Sequence, residues 1–61
     1  MTQLFNFELE IWYRQNDEKE FMERTILAET PEKALELANS LRKNIFKVYI
    51  IKTEPYNEQK L

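Results

Sequence analysis

The run Leu4-Phe5-Asn6-Phe7-Glu8-Leu9-Glu10-Ile11-Trp12-Tyr13 constrains the fold more than any other stretch of the chain. Its side chains alternate at period two, the pattern of a strand with one buried face. Phe5, Phe7, Leu9, Ile11 and Tyr13 fall on one side, and Leu4, Asn6, Glu8, Glu10 and Trp12 on the other. A helix would scatter those apolar residues around its circumference. A first strand is therefore expected over residues 4–14, packed through its odd-numbered positions.

The polar stretch Gln15-Asn16-Asp17-Glu18-Lys19-Glu20 holds turn formers but no glycine. A two-residue turn needs positive φ at both central positions and would have to use Asn16-Asp17. It would set Glu10 opposite Glu23 and Leu9 opposite Arg24. A four-residue loop over 16–19 sets Tyr13 by Met22, Leu9 by Ile26 and Phe7 by Ala28, and avoids a like-charge pair that destabilises when directly opposed. The longer loop is preferred on that ground, with a second strand over about 21–29. It leaves Ile11 beside Arg24, whose aliphatic stem can cover the apolar side chain. Either turn puts Met22, Ile26 and Ala28 on the core face.

Thr30-Pro31-Glu32 marks the start of a helix: Thr is a good N-cap, Pro suits the first helical position, and Glu favours the N-terminal dipole. Ala34, Leu35, Leu37, Ala38 and Leu41 continue as an apolar stripe at helical spacing. Arg42 and Lys43 suit the C-terminal end, and Asn44 is the best left-handed cap in a chain without glycine. The β-branched and aromatic run over 45–53 predicts a third strand, with Phe46, Val48 and Ile50 facing the core. Pro55 then breaks the pattern. Residues 1–54 read as a single β-β-α-β domain and 55–61 as a flexible C-terminal tail.

Strand two must pass through the helix before strand three begins, so strands two and three run parallel to each other. The most apolar strand, the first, belongs in the middle. The expected fold is an α+β two-layer β-β-α-β sandwich, with strand order 2-1-3, a right-handed crossover and one helix covering one face. The segment from Ile26 to Ala38, with Thr30-Pro31-Glu32-Lys33-Ala34-Leu35 at its centre, resembles the strand-to-helix junction of HicB-like antitoxins and of the archaeal ribosomal LX family. The resemblance to the latter implies the same strand-strand-helix-strand order over most of the chain. It covers order and junction, and no functional residue is carried over from it.

A chain of 61 residues makes a small core, and domains of this size commonly recruit a disulfide, a metal or a second copy of themselves. There is no Cys and no His, which removes disulfides and the common zinc and copper ligands. Self-association is the staple that remains. A net charge of −2 predicts no general attraction to phosphate. No apolar run reaches the roughly 20 residues of a membrane span, and no basic segment with an apolar stretch opens the chain. A cytoplasmic protein is the expectation.

The sheet face away from the helix should carry Trp12, Phe21, Leu27, Tyr49 and Ile51, interleaved with Glu8, Glu10, Glu23, Thr25 and Lys47. A purely solvated face alternates to polar residues more consistently than this, and exposed apolar patches mark contact sites. These aromatic and aliphatic residues are the candidate partner contacts, for a protein partner or for a second copy in a homodimer. The composition, rich in Lys, Glu and Asn, also suits a phage or mobile-element protein that binds a host target. The alternative is an RNA- or ribosome-associated protein that stacks bases on the sheet aromatics beside Arg14, Lys19, Arg24, Lys47 and Lys52. Glu8, Glu10 and Glu23 on the same surface oppose phosphate and disfavour it. Glu8 and Glu10 lie two apart without the cleft that acid–base catalysis needs. Asp17, Glu18 and Glu20 lack the spacing of a calcium loop. No catalytic residue, metal site, small-molecule substrate or cofactor is expected.

Overall fold

The computed structural model describes residues 2–57, folded as β1 Phe5–Gln15, β2 Glu18–Ala28, α1 Pro31–Asn39 and β3 Ile45–Pro55. The strands form one sheet in the order β2-β1-β3, with β1 antiparallel to both neighbours. Helix α1 covers one face, which completes the expected α+β sandwich. Phe7, Leu9, Ile11, Ala28, Ala34 and Ala38 make the buried core, and Phe5, Met22, Ile26, Ile45 and Val48 pack around it. The two helix residues in that core are alanines, so the helix axis can approach β1 closely while Phe7, Leu9 and Ile11 supply the volume.

The hairpin turn corrects the preferred four-residue loop. Asn16 and Asp17 take φ of 53° and 66°, and Gln15 pairs with Glu18. The turn is the two-residue form with positive φ at both centres, whose twist matches that of the flanking strands. Glu10 therefore stands opposite Glu23 and Leu9 opposite Arg24. The like-charge penalty is worth only a few tenths of a kcal/mol to about 1 on such a surface, too little to displace a twist-matched turn. Glu10 is also engaged elsewhere: its Oε1 accepts a hydrogen bond from the Trp12 indole at 2.9 Å.

The face assignment of β3 needs a second correction. Its pairing with β1 slips twice, between Glu8 and Leu9 and between Trp12 and Tyr13, so that Phe46 and Ile51 are the extra residues. Ile45, rather than Phe46, faces Tyr13 and packs on the core. Val48 stays on the core side as expected. Ile50 lies opposite Leu9 but remains 36% exposed, because α1 makes its most extensive contact with β2 and leaves the β3 side less covered.

Thr30 caps α1 as its sequence predicts: the Oγ1 accepts from the Lys33 backbone N–H at 3.1 Å, and the residue is extended at φ −138° and ψ 159°. The helix stops at Asn39, short of the expected end near Asn44. The Asn39 side chain donates to the Leu35 carbonyl at 2.9 Å and the Ser40 hydroxyl to the Leu37 carbonyl at 2.7 Å, side-chain bonds that compete with further helix. Asn44 is left-handed, with φ 63°, but it turns the chain into β3, and its carbonyl accepts from the Arg14 N–H at 3.1 Å. Arg42 lies over the Tyr13 ring at 4.0 Å and donates to Gln15 Oε1 at 2.6 Å. It closes the core at the turn end of β1 instead of complementing the helix dipole.

Pro55 is the last residue of β3, paired with Phe5, and the Tyr56 N–H donates to the Leu4 carbonyl at 2.8 Å. Of the tail expected over 55–61, residues 58–61 lie outside the described residues. Among the described residues, no helix is long and apolar enough to cross a membrane.

Candidate interaction surface

The uncovered face of the sheet is built in rows across β2, β1 and β3, set by the two registers. One row runs Phe21–Trp12–Lys47, the next Glu23–Glu10–Tyr49, the next Thr25–Glu8–Lys52, and the last Leu27–Asn6–Glu54. The Trp12 and Phe21 rings stack with centroids 4.9 Å apart and planes at 29°. The indole is fixed at its other edge by the hydrogen bond to Glu10, so the ring presents a defined apolar plane. Phe21, Leu27, Tyr49 and Ile51 are between 42% and 54% exposed, while Trp12 is half-buried beneath its neighbours.

All of the expected contact residues lie on this side, but the structure does not bring them into one patch. Trp12, Phe21 and Tyr49 lie in adjacent rows. Trp12 and Tyr49 share a concavity of about 420 Å³ with Lys19, Phe46 and Lys47. Ile51 lines a different one, of about 580 Å³, with Glu8, Glu23, Arg24 and Thr25. Leu27 is six positions from Phe21 along β2, roughly 20 Å at strand rise, and stands apart from the aromatic group.

Phe46 joins the aromatic group in place of Leu27. Its ring is 45% exposed, with the Arg14 guanidinium 5.5 Å and the Lys19 ammonium 6.0 Å from its centroid. Lys47 lies 5.8 Å from the Tyr49 centroid. Such cation–aromatic contacts order the long side chains over the rings. The sequence signal for Phe46 is the doublet Ile45-Phe46, which breaks the alternation of β3 where the extra residue sits.

Carboxylates occupy the middle of the face. Lys52 donates to Glu54 at 3.0 Å; that bond, the Glu54 charge and then the Glu8 charge hold the lysine above its ordinary pKa. Among the described residues, no group of three or more acidic side chains is placed to hold a metal, and no buried side-chain polar atom lacks a partner. Comparison with protein-family models, with curated proteins and with solved structures finds no match to this chain.

Proposed function

We propose that this chain is a small non-enzymatic protein-interaction module, homodimeric, that grips a protein partner through the helix-free face around Trp12, Phe21, Tyr49 and Ile51, with Leu27 at its margin. The observation that carries the reading is the Trp12–Phe21 stack, its indole hydrogen-bonded to Glu10, next to an exposed Tyr49, on a face that no element of the described residues covers. Rigid aromatics with a polar edge are favoured anchors because they bury much apolar area and lose little side-chain entropy. The carboxylates Glu8, Glu10 and Glu23 around them favour a partner whose rim is basic. Tagged wild type and Trp12→Glu, each recovered from the native host and analysed for captured proteins, test it. A protein captured by wild type and lost with Trp12→Glu is expected; identical captures refute the face.

One observation favours a second reading. The concavity of Trp12, Phe46 and Tyr49 beside Lys19 and Lys47 combines rings with cations, as base-stacking surfaces of single-strand RNA binders do. Titration with single-stranded RNA at two salt concentrations separates the readings, since phosphate-driven binding weakens as salt rises. No binding at low salt removes this one.

A further inference from the structure

We propose that two copies of the chain pair edge to edge through β2, antiparallel and centred on Arg24, so that the two three-stranded sheets become one. This names the route of the self-association and rests on the homodimeric part of the reading above, independently of the partner face.

Among the described residues the sheet has two free edges, and they differ. β3 carries both slips in pairing and ends at Pro55, devices that keep an edge from accepting another strand. β2 matches β1 residue for residue over eleven positions, without a bulge or a proline. The two-residue turn makes Gln15 and Glu18 the closing hydrogen-bonded pair. Alternation along the ladder then turns the backbone groups of Lys19, Phe21, Glu23, Thr25 and Leu27 away from β1, toward the free edge. A regular row of donors and acceptors is left open.

The side chains select one register for a second copy. A two-fold axis perpendicular to the sheet keeps every residue on its own face, so only positions of equal parity can meet. Centring on Arg24 sets Phe21 against Leu27, Met22 against Ile26, Glu23 against Thr25 and Glu20 against Ala28, and brings Lys19 near Glu29 just past the strand end. Phe21–Leu27 on one face and Met22–Ile26 on the other join apolar to apolar, no two carboxylates are opposed, and Lys19 lies near Glu29 at each end. Centring on Glu23 would oppose Lys19 to Leu27, Glu20 to Ile26 and Glu23 to itself. Centring on Thr25 would oppose Glu23 to Leu27 and Phe21 to Glu29. In the favoured register Arg24 meets its own copy, but it is exposed and its long stem can carry the charges apart into water.

The helix supplies an independent observation. Leu35 and Asn39 line the groove between α1 and β3, so steps of about 100° per residue put Leu37 on the opposite flank, above β2. Leu37 is 39% exposed there, and across the two-fold axis it faces the same flank of the second helix. The paired arrangement also places two Trp12–Phe21 stacks on one continuous surface, beside the seam.

The chain has no cysteine, so a single introduced thiol reads out the register. Opposed Cα atoms in a non-hydrogen-bonded antiparallel pair are about 4.5 Å apart, within disulfide reach. Under dilute oxidising conditions Arg24→Cys is expected to form a covalent dimer, and Tyr49→Cys to stay monomeric. Thr25→Pro removes an outward N–H that pairs with no backbone group among the described residues; sedimentation should show a loss of the dimer with far-UV circular dichroism retained. Trp12→Glu should remain dimeric. The proposal is overturned by a wild type that sediments as a monomer at high micromolar concentration, by a Thr25→Pro dimer, or by Tyr49→Cys cross-linking as readily as Arg24→Cys. Dissociation by Trp12→Glu also overturns it, and moves self-association to the open face. Should Thr25→Pro fail to fold, the cross-link alone decides.

Discussion

Leu9 and Ile50 stand opposite each other on the helix side of the sheet, yet Leu9 is fully buried and Ile50 keeps about a third of its surface in water. Truncating each to alanine should separate the two environments. Leu9 is enclosed by Phe7, Ile11 and the helix alanines, whose short side chains cannot move into the space it leaves. Its replacement should cost about 3–4 kcal/mol, in the upper part of the range for buried leucines because the cavity stays open. Ile50 forfeits only part of its transfer energy and leaves a dent rather than a cavity, so about 1–2 kcal/mol is expected. At 0.05–0.15 kcal/mol per residue, a 61-residue domain has about 3–9 kcal/mol in total. Leu9→Ala therefore removes much or all of the stability, and Ile50→Ala does not. Urea unfolding followed by Trp12 fluorescence and circular dichroism, at one fixed protein concentration because association contributes to apparent stability, measures both. With a slope near 1 kcal/mol per molar, the midpoint should fall by about 3 M or vanish for Leu9→Ala and by about 1–2 M for Ile50→Ala. Equal losses at the two sites, or a loss under about 1.5 kcal/mol at Leu9, would refute the argument that the central strand is enclosed while the edge strand β3 stays partly open.

Asp17 holds a left-handed conformation that glycine adopts without strain, so Asp17→Gly should raise stability by about 0.5–1 kcal/mol in the same urea assay. Thr30→Ala removes the N-cap bond to Lys33 and should cost about 1 kcal/mol, with helical signal lost first. Because Glu54 is the main cause of the raised Lys52 pKa, Glu54→Gln should bring it back toward the ordinary lysine value in an NMR titration. The sign follows from the protonated form being favoured in the fold: the contribution is present below the ordinary lysine pKa and lost as pH rises through the raised one.

Much of the architecture is legible in the chain because its signals are local. Thr30-Pro31 starts the helix through its own cap, and the alternation of β1 marks its odd-numbered residues as the buried face. The Glu10–Glu23 opposition points away from the true turn, because the twist match of Asn16-Asp17 outweighs a solvent-facing repulsion. That register also decides the site: the four-residue loop would set Trp12 against Glu23, and only the two-residue turn brings Phe21 onto the indole. The two slips of β3 show in sequence as the apolar doublets Ile45-Phe46 and Ile50-Ile51, where strict alternation fails. Reading through them with an unbroken period of two sends Phe46 to the wrong face. The helix end is obscured because Arg42 and Lys43 look like last-turn cations, while Asn39 and Ser40, which stop it, are polar residues of a kind common on any solvated face.

Placing β1 in the middle has a consequence for the growing chain. β1 emerges first and β2 can pair with one of its edges at once, since a hairpin closes in microseconds. The other edge belongs to β3, where Leu9 finds Ile50 and Phe5 finds Pro55. At roughly 5–20 residues per second, the central strand, which carries Phe7, Leu9 and Ile11, waits on the order of seconds with one side unpaired. In that interval the nascent hairpin is a two-stranded ribbon with sticky edges. Residues that speed the closing of α1 onto it, Thr30 above all, therefore bear on the yield of soluble protein as well as on its final stability.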